Sequence, residues 1–315
     1  MSDPVFLGLD GGGTKTKATL IDGDAREVAR ATSGPSNYHS TGQETAQVSL
    51  QAAMRQVLDQ AAVTWDDVAA IGLGMAGVAR PRDFQVVRAM LTEIAPATCL
   101  ALTHDAEAAL VGGVGRRHGV ALIAGTGAMA YGVNARGQTR RADGWGYLLG
   151  DEGSGYWIGR EALRATARAC DGREPPTTLQ GAILAELGMN ACTELVHRVY
   201  EIGLDVPQIA ALVPTVLVAA QQGDAVACDI LQRASALLGS TLCAVIVGLD
   251  MVQETFCVVL LGGVLSASAL VRETVAAAVK DCAPGAALIQ PKNDAAFGAA
   301  LLARDLWTHQ KRERR

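Results

Sequence analysis

The sequence predicts an α/β fold made of two related lobes, and three observations support this prediction. Apolar runs typical of strands alternate with segments of helical periodicity along the chain. A glycine-tipped hairpin pattern occurs twice, 114 residues apart, so that Gly125 and Gly127 fall on Gly11 and Gly13. The length of 315 residues suits two domains of roughly 100–200 residues each.

The first lobe begins with a predicted hairpin. Residues 5–10 and 16–21 read as strands on either side of three consecutive glycines. Helical periodicity follows over residues 43–62 and again over 83–94, with a short apolar strand at 69–74 between them. This order of strands and helices is typical of an α/β lobe.

Four later segments complete the pattern. LALTHDAEAALVGG (100–113) passes from an apolar strand through Asp105 into an alanine-rich helix, which places a carboxylate at a strand-to-helix junction. VALIAGTGAMAYGVNARG (120–137) is a strand, a Gly-Thr-Gly tip and a second strand. FCVVLLGG (256–263) is a strand that ends in two glycines, and NDAAFGAALLARDLW (293–307) is a helix with small residues on one face.

Composition and charge exclude several classes of protein. The net charge of −5 and the pI near 5.6 argue against a nucleic-acid surface, which needs a basic face. The N-terminal segment lacks the basic start and long apolar run of a secretory signal, so we expect a cytoplasmic protein. The apolar stretches at 209–220 and 237–249 are shorter than the roughly 20 residues of a membrane-spanning helix, so we expect no membrane contact.

The seven cysteines show no pattern of a metal site or a disulfide framework. They are scattered from Cys99 to Cys282, without a CxxC pair and without a histidine at zinc-ligand spacing. We therefore expect reduced thiols in the core of a cytoplasmic protein.

The glycine tips suggest phosphate binding. Glycine lets backbone N–H groups approach a ligand closely, so a glycine-rich tip can form a nest for phosphate oxygens. GGGTK lacks the spacing of a Walker A loop, and TKTKATL alternates like a strand instead of opening the helix of a dinucleotide-binding motif. Taken alone, each tip is equally compatible with a plain hairpin turn.

Five sequence segments together resemble one known family. They are, in chain order, LGLDGGGTKTKATLID, THDAEAA, IAGTGAMAYG, GWGYLLGDEGSGYWIGREAL and LLGGVLSAS. The chain resembles the N-acetylglucosamine kinases and related glucosamine kinases, a BadF/BadG/BcrA/BcrD-type branch of the superfamily of sugar kinases, actin and heat-shock chaperone ATPases. The resemblance implies two actin-like ATPase (ribonuclease H-like) lobes, with mixed sheets, flanking helices and an ATP cleft between the lobes. It also implies that residues 1–116 form one lobe with a C-terminal helix at 291–315, and that residues 117–290 form the other.

The resemblance assigns ATP and Mg²⁺ to the glycine turns. The implied ATP-binding residues are Gly11, Gly12, Gly13, Thr14, Lys15, Gly125, Thr126, Gly127, Gly262 and Gly263. Asp10 would act on the magnesium ion through its bound waters, because a carboxylate beside polyphosphate needs a cation between them. A turn-capping role for Asp10 is the alternative.

The resemblance makes Asp105 the catalytic base of an ATP-dependent kinase. Phosphoryl transfer needs a carboxylate within hydrogen-bond reach of the attacking hydroxyl, to orient it and take its proton. Without the other motifs, the simpler interpretation is that Asp105 caps the helix that follows it.

The resemblance also implies a sugar site. Its residues are Asn37, Asp105, Gly144, Trp145 and Asp151. Amide and carboxylate groups with an aromatic ring suit the hydroxyls and the apolar face of a hexose. Trp145 is alternatively a core residue. Asp151 and Glu152 do not suit the acid/base pair of a glycosidase, because adjacent side chains point apart.

The intact GDEGS block favours N-acetylglucosamine, phosphorylated at its 6-hydroxyl, over glucosamine. Ala128 and Met129 depart from the family pattern at the second tip and bear on recognition of the 2-substituent. The implied partners are this sugar, ATP and a second copy of the chain, with no nucleic acid and no membrane. An iron–sulfur ATPase activator of a dehydratase or reductase is a less favoured alternative, because no cysteine neighbours a glycine-rich tip. A non-catalytic sugar sensor is disfavoured, because both tips and Asp105 are present.

Overall fold

The computed structural model describes residues 3–95, 99–173 and 175–313, which form two α/β units. Unit 1 comprises residues 1–119 and 290–315, and unit 2 comprises residues 120–289. Each unit contains one five-stranded sheet with flanking helices. The predicted α/β fold class is confirmed.

Unit 1 begins with three strands and ends with a long helix. Its strands are β1 (Val5–Gly11), β2 (Thr16–Ile21), β3 (Glu27–Ser33), β4 (Val68–Met75) and β5 (Leu100–His104). Its helices are α1 (Tyr38–Thr41), α2 (Gln43–Ala61), α3 (Pro81–Ile94), α4 (Asp105–Val114) and, from the C-terminal segment, α12 (Ala295–Glu313). A short 3-10 turn covers Trp65–Asp67.

Unit 2 has the same number of described strands and more helices. Its strands are β6 (Gly119–Ala124), β7 (Ala128–Val133), β8 (Thr139–Asp143), β9 (Phe256–Leu261) and β10 (Ala286–Ile289). Its helices are α5 (Gly155–Cys170), α6 (Thr178–Glu186), α7 (Val206–Ala210), α8 (Val213–Gln221), α9 (Ala225–Gly248), α10 (Gly263–Ala267) and α11 (Ala269–Cys282). A 3-10 turn at Cys192–Glu194 and a π-helical turn at His197–Glu201 lie between α6 and α7.

The two sheets share one topology. The strand order in unit 1 is β3-β2-β1-β4-β5, and in unit 2 it is β8-β7-β6-β9-β10. In unit 1 the first three strands are antiparallel neighbours, while β4 and β5 run parallel to β1. In unit 2, β9 and β10 likewise run parallel to β6. The predicted repeat is therefore present in the order and direction of the strands.

The register of the unit 1 sheet brings the predicted functional carboxylates to one edge. Asp10 lies opposite Lys17 on β2 and opposite Gly74 on β4. Asp105 follows directly after β5, whose residue Thr103 pairs with Gly74. Because the carboxyl ends of the parallel strands meet at the same sheet edge, both aspartates lie there.

The last helix packs directly on the sheet of unit 1. A Cβ on Gly8 of β1 would lie 2.0 Å from the carbonyl oxygen of Ala296, and one on Gly72 of β4 would lie 1.9 Å from that of Ala299. Only glycine allows strands and helix to approach this closely. The small residues predicted on one face of α12 therefore pack against the sheet.

The expectation that all cysteines are reduced core thiols is wrong. Cys170, at the end of α5, forms a disulfide with Cys192, 22 residues further along the chain. The chain between them folds back through α6 and brings the two sulfurs together, which spacing alone does not reveal. Of the five cysteines outside this disulfide, Cys99 is buried and the other four are half-buried.

Helix α9 is longer than the apolar stretch seen in the sequence. By length and composition its 24 residues could cross a membrane. Half of its most apolar window is nevertheless buried inside the structure, and Leu238, Leu242 and Ile246 lie in the core of unit 2. This pattern is that of a core helix.

Candidate active site

The first glycine tip is a hairpin turn tied to the chain that follows β3. The Gly12 N–H donates to the Lys15 carbonyl at 3.0 Å, which closes the turn. The Gly12 carbonyl accepts from the N–H groups of Ser36 and Asn37, at 3.0 and 3.1 Å. Gly13 is exposed, and a Cβ there would meet no atom within 4 Å. The tip thus has a fixed backbone and open space in front of it.

Asp10, just before this tip, has a pKa above the ordinary value of an aspartate. The pKa of Asp10 is raised to about 6: burial is the largest cause, the positive charge of Lys17 opposes it, and the negative charges of Asp105 and Asp294 add to it. Three carboxylates therefore act on one another at this sheet edge. A cation bound here would relieve their repulsion.

Lys17 and Asp294 belong to this cluster and were not predicted from the sequence. The Lys17 ammonium lies 3.1 Å from a carboxylate oxygen of Asp294, and the Arg30 guanidinium lies 2.5 Å from the same oxygen. Burial alone would raise the pKa of Asp294, but the Phe297 N–H and Lys17 outweigh it and lower the pKa. Lys17 is the last residue of the motif GGGTKTK. The predicted hairpin places it opposite Asp10, and this pairing was the signal that could have indicated its role.

Asp105 is the first residue of α4, and the helix cap lies elsewhere. The His104 ring nitrogen Nδ1 accepts from the Glu107 N–H at 3.2 Å, which makes His104 the capping residue. One carboxylate oxygen of Asp105 accepts from the Ala106 N–H at 2.9 Å. The alternative interpretation of Asp105 as the helix cap is therefore wrong.

Asn37 lies beside the first tip. It caps α1 by accepting the His39 N–H on its side-chain oxygen at 3.2 Å. Its own N–H donates to Gly12, as described above. Asp10, the first tip, Asn37 and Asp105 are thus gathered on one unit.

The second glycine tip is tied to the start of a helix. The Gly125 N–H donates to the Gly127 carbonyl at 2.9 Å. The first two residues of α5, Gly155 and Tyr156, donate their N–H groups to the carbonyls of Gly125 and Thr126, at 2.8 and 3.1 Å. This tip is therefore fixed by α5, and it carries no carboxylate of its own.

Asp151 lies against the second tip. Its carboxylate accepts from the Ala128 N–H at 3.1 Å, and a Cβ on Gly127 would lie only 2.9 Å from it. Burial raises the pKa of Asp151, and the neighbouring charge of Asp143 adds to this effect. Asp151 has a positive φ of 55°, which the surrounding turn holds.

Asp143 organises the loop that contains the predicted sugar residues, and sequence reasoning did not single it out. Its two carboxylate oxygens accept from the N–H groups of Asp151 and Glu152, at 2.8 and 2.9 Å. The next residue, Gly144, donates its N–H to the Ala128 carbonyl at 3.0 Å and has a φ of 73°. Gly144 and Asp151 are thus both held at the second tip. The Asp-Gly pair in the sequence was the available signal for this turn.

Trp145 is not a core residue. Its side chain is 68% exposed, and the Arg141 guanidinium lies over the ring at 5.1 Å. Leu148 and Leu149, in the same loop, are also exposed. The loop between Gly144 and Asp151 therefore exposes an apolar surface to solvent. Such a surface is suited to contact with the apolar face of a sugar.

Gly262 directly follows the strand β9, which pairs with β6. Its φ is 101°, and a Cβ there would lie 2.3 Å from the Ala124 carbonyl oxygen, so glycine is required. Gly263, the first residue of α10, faces open space. Unit 2 thus gathers its tip, Gly144, Asp151 and Gly262.

Within the described residues, no three His, Cys, Asp or Glu side chains cluster as a metal site made by protein alone. Magnesium commonly uses one or two carboxylates and completes its shell with water and substrate phosphates. Asp10, with its raised pKa and acidic neighbours, fits such a role.

Comparison of the sequence with known proteins identifies a family and two relatives that match nearly the whole chain. The sequence pattern of the BadF/BadG/BcrA/BcrD ATPase family matches residues 7–303. A Clostridium acetobutylicum protein named N-acetylmuramic acid/N-acetylglucosamine kinase is 33% identical, covering 95% of this chain and 97% of its own. A Dictyostelium discoideum N-acetyl-D-glucosamine kinase is 35% identical, covering 96% of this chain and 98% of its own.

Solved structures show the same fold. A Chromobacterium violaceum protein, provisionally assigned as an N-acetylglucosamine kinase, superimposes with a TM-score of 0.78 at 29% identity. The match covers 96% of this chain and 99% of that protein.

Proposed function

Because the chain belongs to the BadF/BadG/BcrA/BcrD ATPase family, we propose that it is an ATP-dependent kinase that phosphorylates the 6-hydroxyl of N-acetylglucosamine. Two relatives matched over nearly their whole length are named as kinases of this sugar. The structural observation that supports the proposal best is Asp105, which stands at the end of β5 with the helix-capping role taken by His104.

Asp105 would act as the catalytic base. Its carboxylate would accept the proton of the 6-hydroxyl as that oxygen bonds to the γ-phosphorus and the bond from phosphorus to the ADP oxygen breaks. A carboxylate suits this step because the transfer needs orientation of the hydroxyl more than strong basicity.

Asp10 would hold the magnesium ion through bound water, beside Gly11, Gly12, Gly13, Thr14 and Lys15. The ion would supply charge neutralisation at the phosphates. Burial raises the pKa of Asp10, Lys17 lowers it, and the negative charges of Asp105 and Asp294 raise it. A bound cation would favour the ionised form of this carboxylate.

Unit 2 would bind ATP mainly through its backbone. Gly125, Thr126 and Gly127 would offer N–H groups to phosphate oxygens, because glycine tips leave the backbone accessible. Gly262 and Gly263 would lie against the adenosine, and the open space at Gly263 supports this placement.

The sugar would contact Asn37, Gly144, Trp145 and Asp151, with Asp105 at its 6-hydroxyl. The exposed ring of Trp145 would cover the apolar face, and Asp151 would accept hydroxyl hydrogens. Glucosamine as substrate is less favoured, because the two relatives that match nearly the whole chain are named for N-acetylated sugars, whereas a Vibrio cholerae glucosamine kinase matches 57% of it.

The iron–sulfur alternative gains no support from the cysteine positions. Cys170 and Cys192 are joined to each other, and none of the other five cysteines, all within the described residues, belongs to a glycine tip. A homodimer stays a prediction from the resemblance, and a cytoplasmic location stays a prediction from the N-terminal segment and the cysteine pattern.

A coupled ADP-release assay tests the proposal. The panel would contain N-acetylglucosamine, glucosamine, N-acetylmuramic acid and glucose, with a control lacking sugar. We expect the highest kcat/KM with N-acetylglucosamine and a phosphorylated product at its 6-position by NMR. ADP release that is independent of sugar, or a preference for glucosamine, would contradict the proposal.

A further inference from the structure

A second acidic residue of the THDAEAA segment, Glu107, has no role in the proposed reaction. It lies in the first turn of α4, two residues after Asp105, and is only 8% exposed. Burying a carboxylate is costly unless several groups satisfy it. The partners of Glu107 therefore indicate what its burial achieves.

Glu107 connects three parts of the chain around the β5–α4 junction. Its Oε2 accepts from the Thr103 hydroxyl at 2.5 Å, so it is tied to the strand that precedes Asp105. Its Oε1 accepts from Arg117 Nε at 2.8 Å, which ties it to the chain beyond α4. Its own N–H donates to the His104 ring at 3.2 Å. Asp105 stands in the middle of these ties.

The opposite side of the junction is closely packed. A Cβ on Gly74 of β4 would lie 2.5 Å from the Ala108 Cβ and 3.5 Å from the Asp105 Cα. The backbone at Asp105 is therefore held between β4 on one side and the Glu107 ties on the other. A shift of this backbone would move the Asp105 carboxylate.

Glu107 faces away from the residues assigned to the reaction. Together with Thr103 and Arg117 it lines a cavity of about 350 Å³, whose other walls are formed by β5 and by the C-terminal part of α12. None of the residues proposed to bind ATP or sugar lines that cavity. Glu107 can therefore act on the reaction only through another residue.

We propose that Glu107 is the positioning residue of Asp105: the carboxylate that joins Thr103 to Arg117 fixes the β5–α4 junction and thereby the direction of the base. This inference rests on the proposed function, because it takes Asp105 as the base. It concerns kcat and leaves ground-state binding of ATP and sugar unchanged, since Glu107 contacts neither.

The test compares three single variants, and a control variant of Glu161, in the ADP-release assay. We expect Glu107→Ala to lower kcat about 30-fold with KM for both substrates within about threefold, because a small misplacement of a reacting group is costly. Glu107→Gln should restore kcat to within about threefold, because an amide can accept from Arg117 and donate to Thr103. Thr103→Val removes the hydrogen bond to Glu107 and leaves the Glu107–Arg117 ion pair, so it should lower kcat about fivefold. This variant tests the inference even if Glu107→Ala does not fold.

Glu161 provides the matched control. It is 6% exposed and lies on α5 of unit 2, where it pairs with Arg164 and Arg233. We expect Glu161→Ala to lower thermal stability as Glu107→Ala does, with kcat unchanged. Equal losses of kcat in both variants would show a general effect of destabilisation and would overturn the inference.

A double variant separates positioning from loss of structure. In the Asp105→Asn background, Glu107→Ala should have no further effect on the residual rate, because the group that it positions is already absent. An additional 30-fold loss would overturn the positioning role. Full activity of Asp105→Asn would instead refute the proposed function, so the two failures are distinguishable.

Discussion

The two units have the same sheet topology but carry different residues at equivalent positions before their glycine tips. Asp10 precedes the first glycine tip, and Ala124, fully buried, stands at the corresponding place before the second tip. Asp10 lies in β1 and Ala124 in β6, and each of these strands is at the centre of its sheet. A duplicated topology thus supplies two similar turns, and only the turn of unit 1 carries a carboxylate suited to a cation.

The turns also differ in how they are anchored. The first is held by the N–H groups of Ser36 and Asn37, next to the four-residue helix α1. The second is held by the first two N–H groups of α5, a helix of 16 residues. A long helix fixes the second turn from its end, and its positive dipole end points toward the same place. The turn of unit 1 therefore lies beside a charged side chain, and the turn of unit 2 lies beside the backbone dipoles of a helix end.

The largest effect that this contrast predicts follows from Asp105. We expect Asp105→Asn to lower kcat by about 10³-fold, because the amide cannot take a proton, while KM for the sugar stays nearly unchanged. Steady-state kinetics over a range of sugar concentrations measures both. The variant Asp151→Asn in unit 2 should act mainly on KM for the sugar, so a similar kcat loss in both variants would contradict the division of roles.

Asp10→Asn should have the next largest effect. We expect a kcat loss of about 10- to 100-fold at fixed Mg²⁺, because an amide would hold the water shell of the proposed ion less strongly than a carboxylate.

The same variant should change how stability depends on pH. Because the pKa of Asp10 is raised to about 6 in the folded protein, the native state binds more protons than the unfolded state between about pH 4 and 6. Stability therefore falls as the pH rises through this window, by about 3 kcal/mol at most. Without Mg²⁺, Asp10→Asn should be more stable than the natural chain above pH 6 and equal to it below pH 4. Denaturant unfolding at both pH values checks this, with the exposed Asp59→Asn as control.

The two tips can be compared directly by adding one methyl group to each. A Cβ on Gly13 or on Gly125 would meet no protein atom within 4 Å, so Gly13→Ala and Gly125→Ala should fold normally. If phosphate oxygens occupy that space, KM for ATP should rise about tenfold in both. Gly181→Ala, in α6, also points into open space and should leave KM unchanged. An unchanged KM in both tip variants would support plain hairpin turns.

The smallest effect concerns the disulfide, which only unit 2 contains among the described residues. Thiol titration of the unfolded protein, purified without reductant, should find five thiols and not seven. Reduction should change kcat less than about twofold, because neither cysteine belongs to the candidate site, while it lowers the free energy of unfolding by about 3 kcal/mol. Titration of seven thiols would favour the original expectation from the sequence.

Local signals explain what could be predicted. Strand alternation, helical periodicity and glycine tips are properties of neighbouring residues, and they placed the hairpins, the β5–α4 junction and Asp105 correctly in the chain. The packing of α12 against the sheet could be predicted from its small residues, because a helix and a sheet can approach closely only where the side chains are small.

Pairs distant in the sequence could not be predicted in the same way. Lys17 meets Asp294 across 277 residues, and Cys170 meets Cys192 without a recognisable motif. The role of Glu107 depends on a threonine before it and an arginine ten residues after it, which only the fold brings together. The exposure of Trp145 depends on a loop held by Asp143, and residue type alone did not reveal it.

The return of α12 to the first sheet sets an order of events during synthesis. Unit 2 is continuous in sequence, so its sheet can close while the chain is still being made. The glycines Gly8 and Gly72 leave a gap that only α12 fills, and Asp294 reaches Lys17 only with that helix. The acidic edge of unit 1 is therefore completed only after Asp294 and α12 have been synthesised.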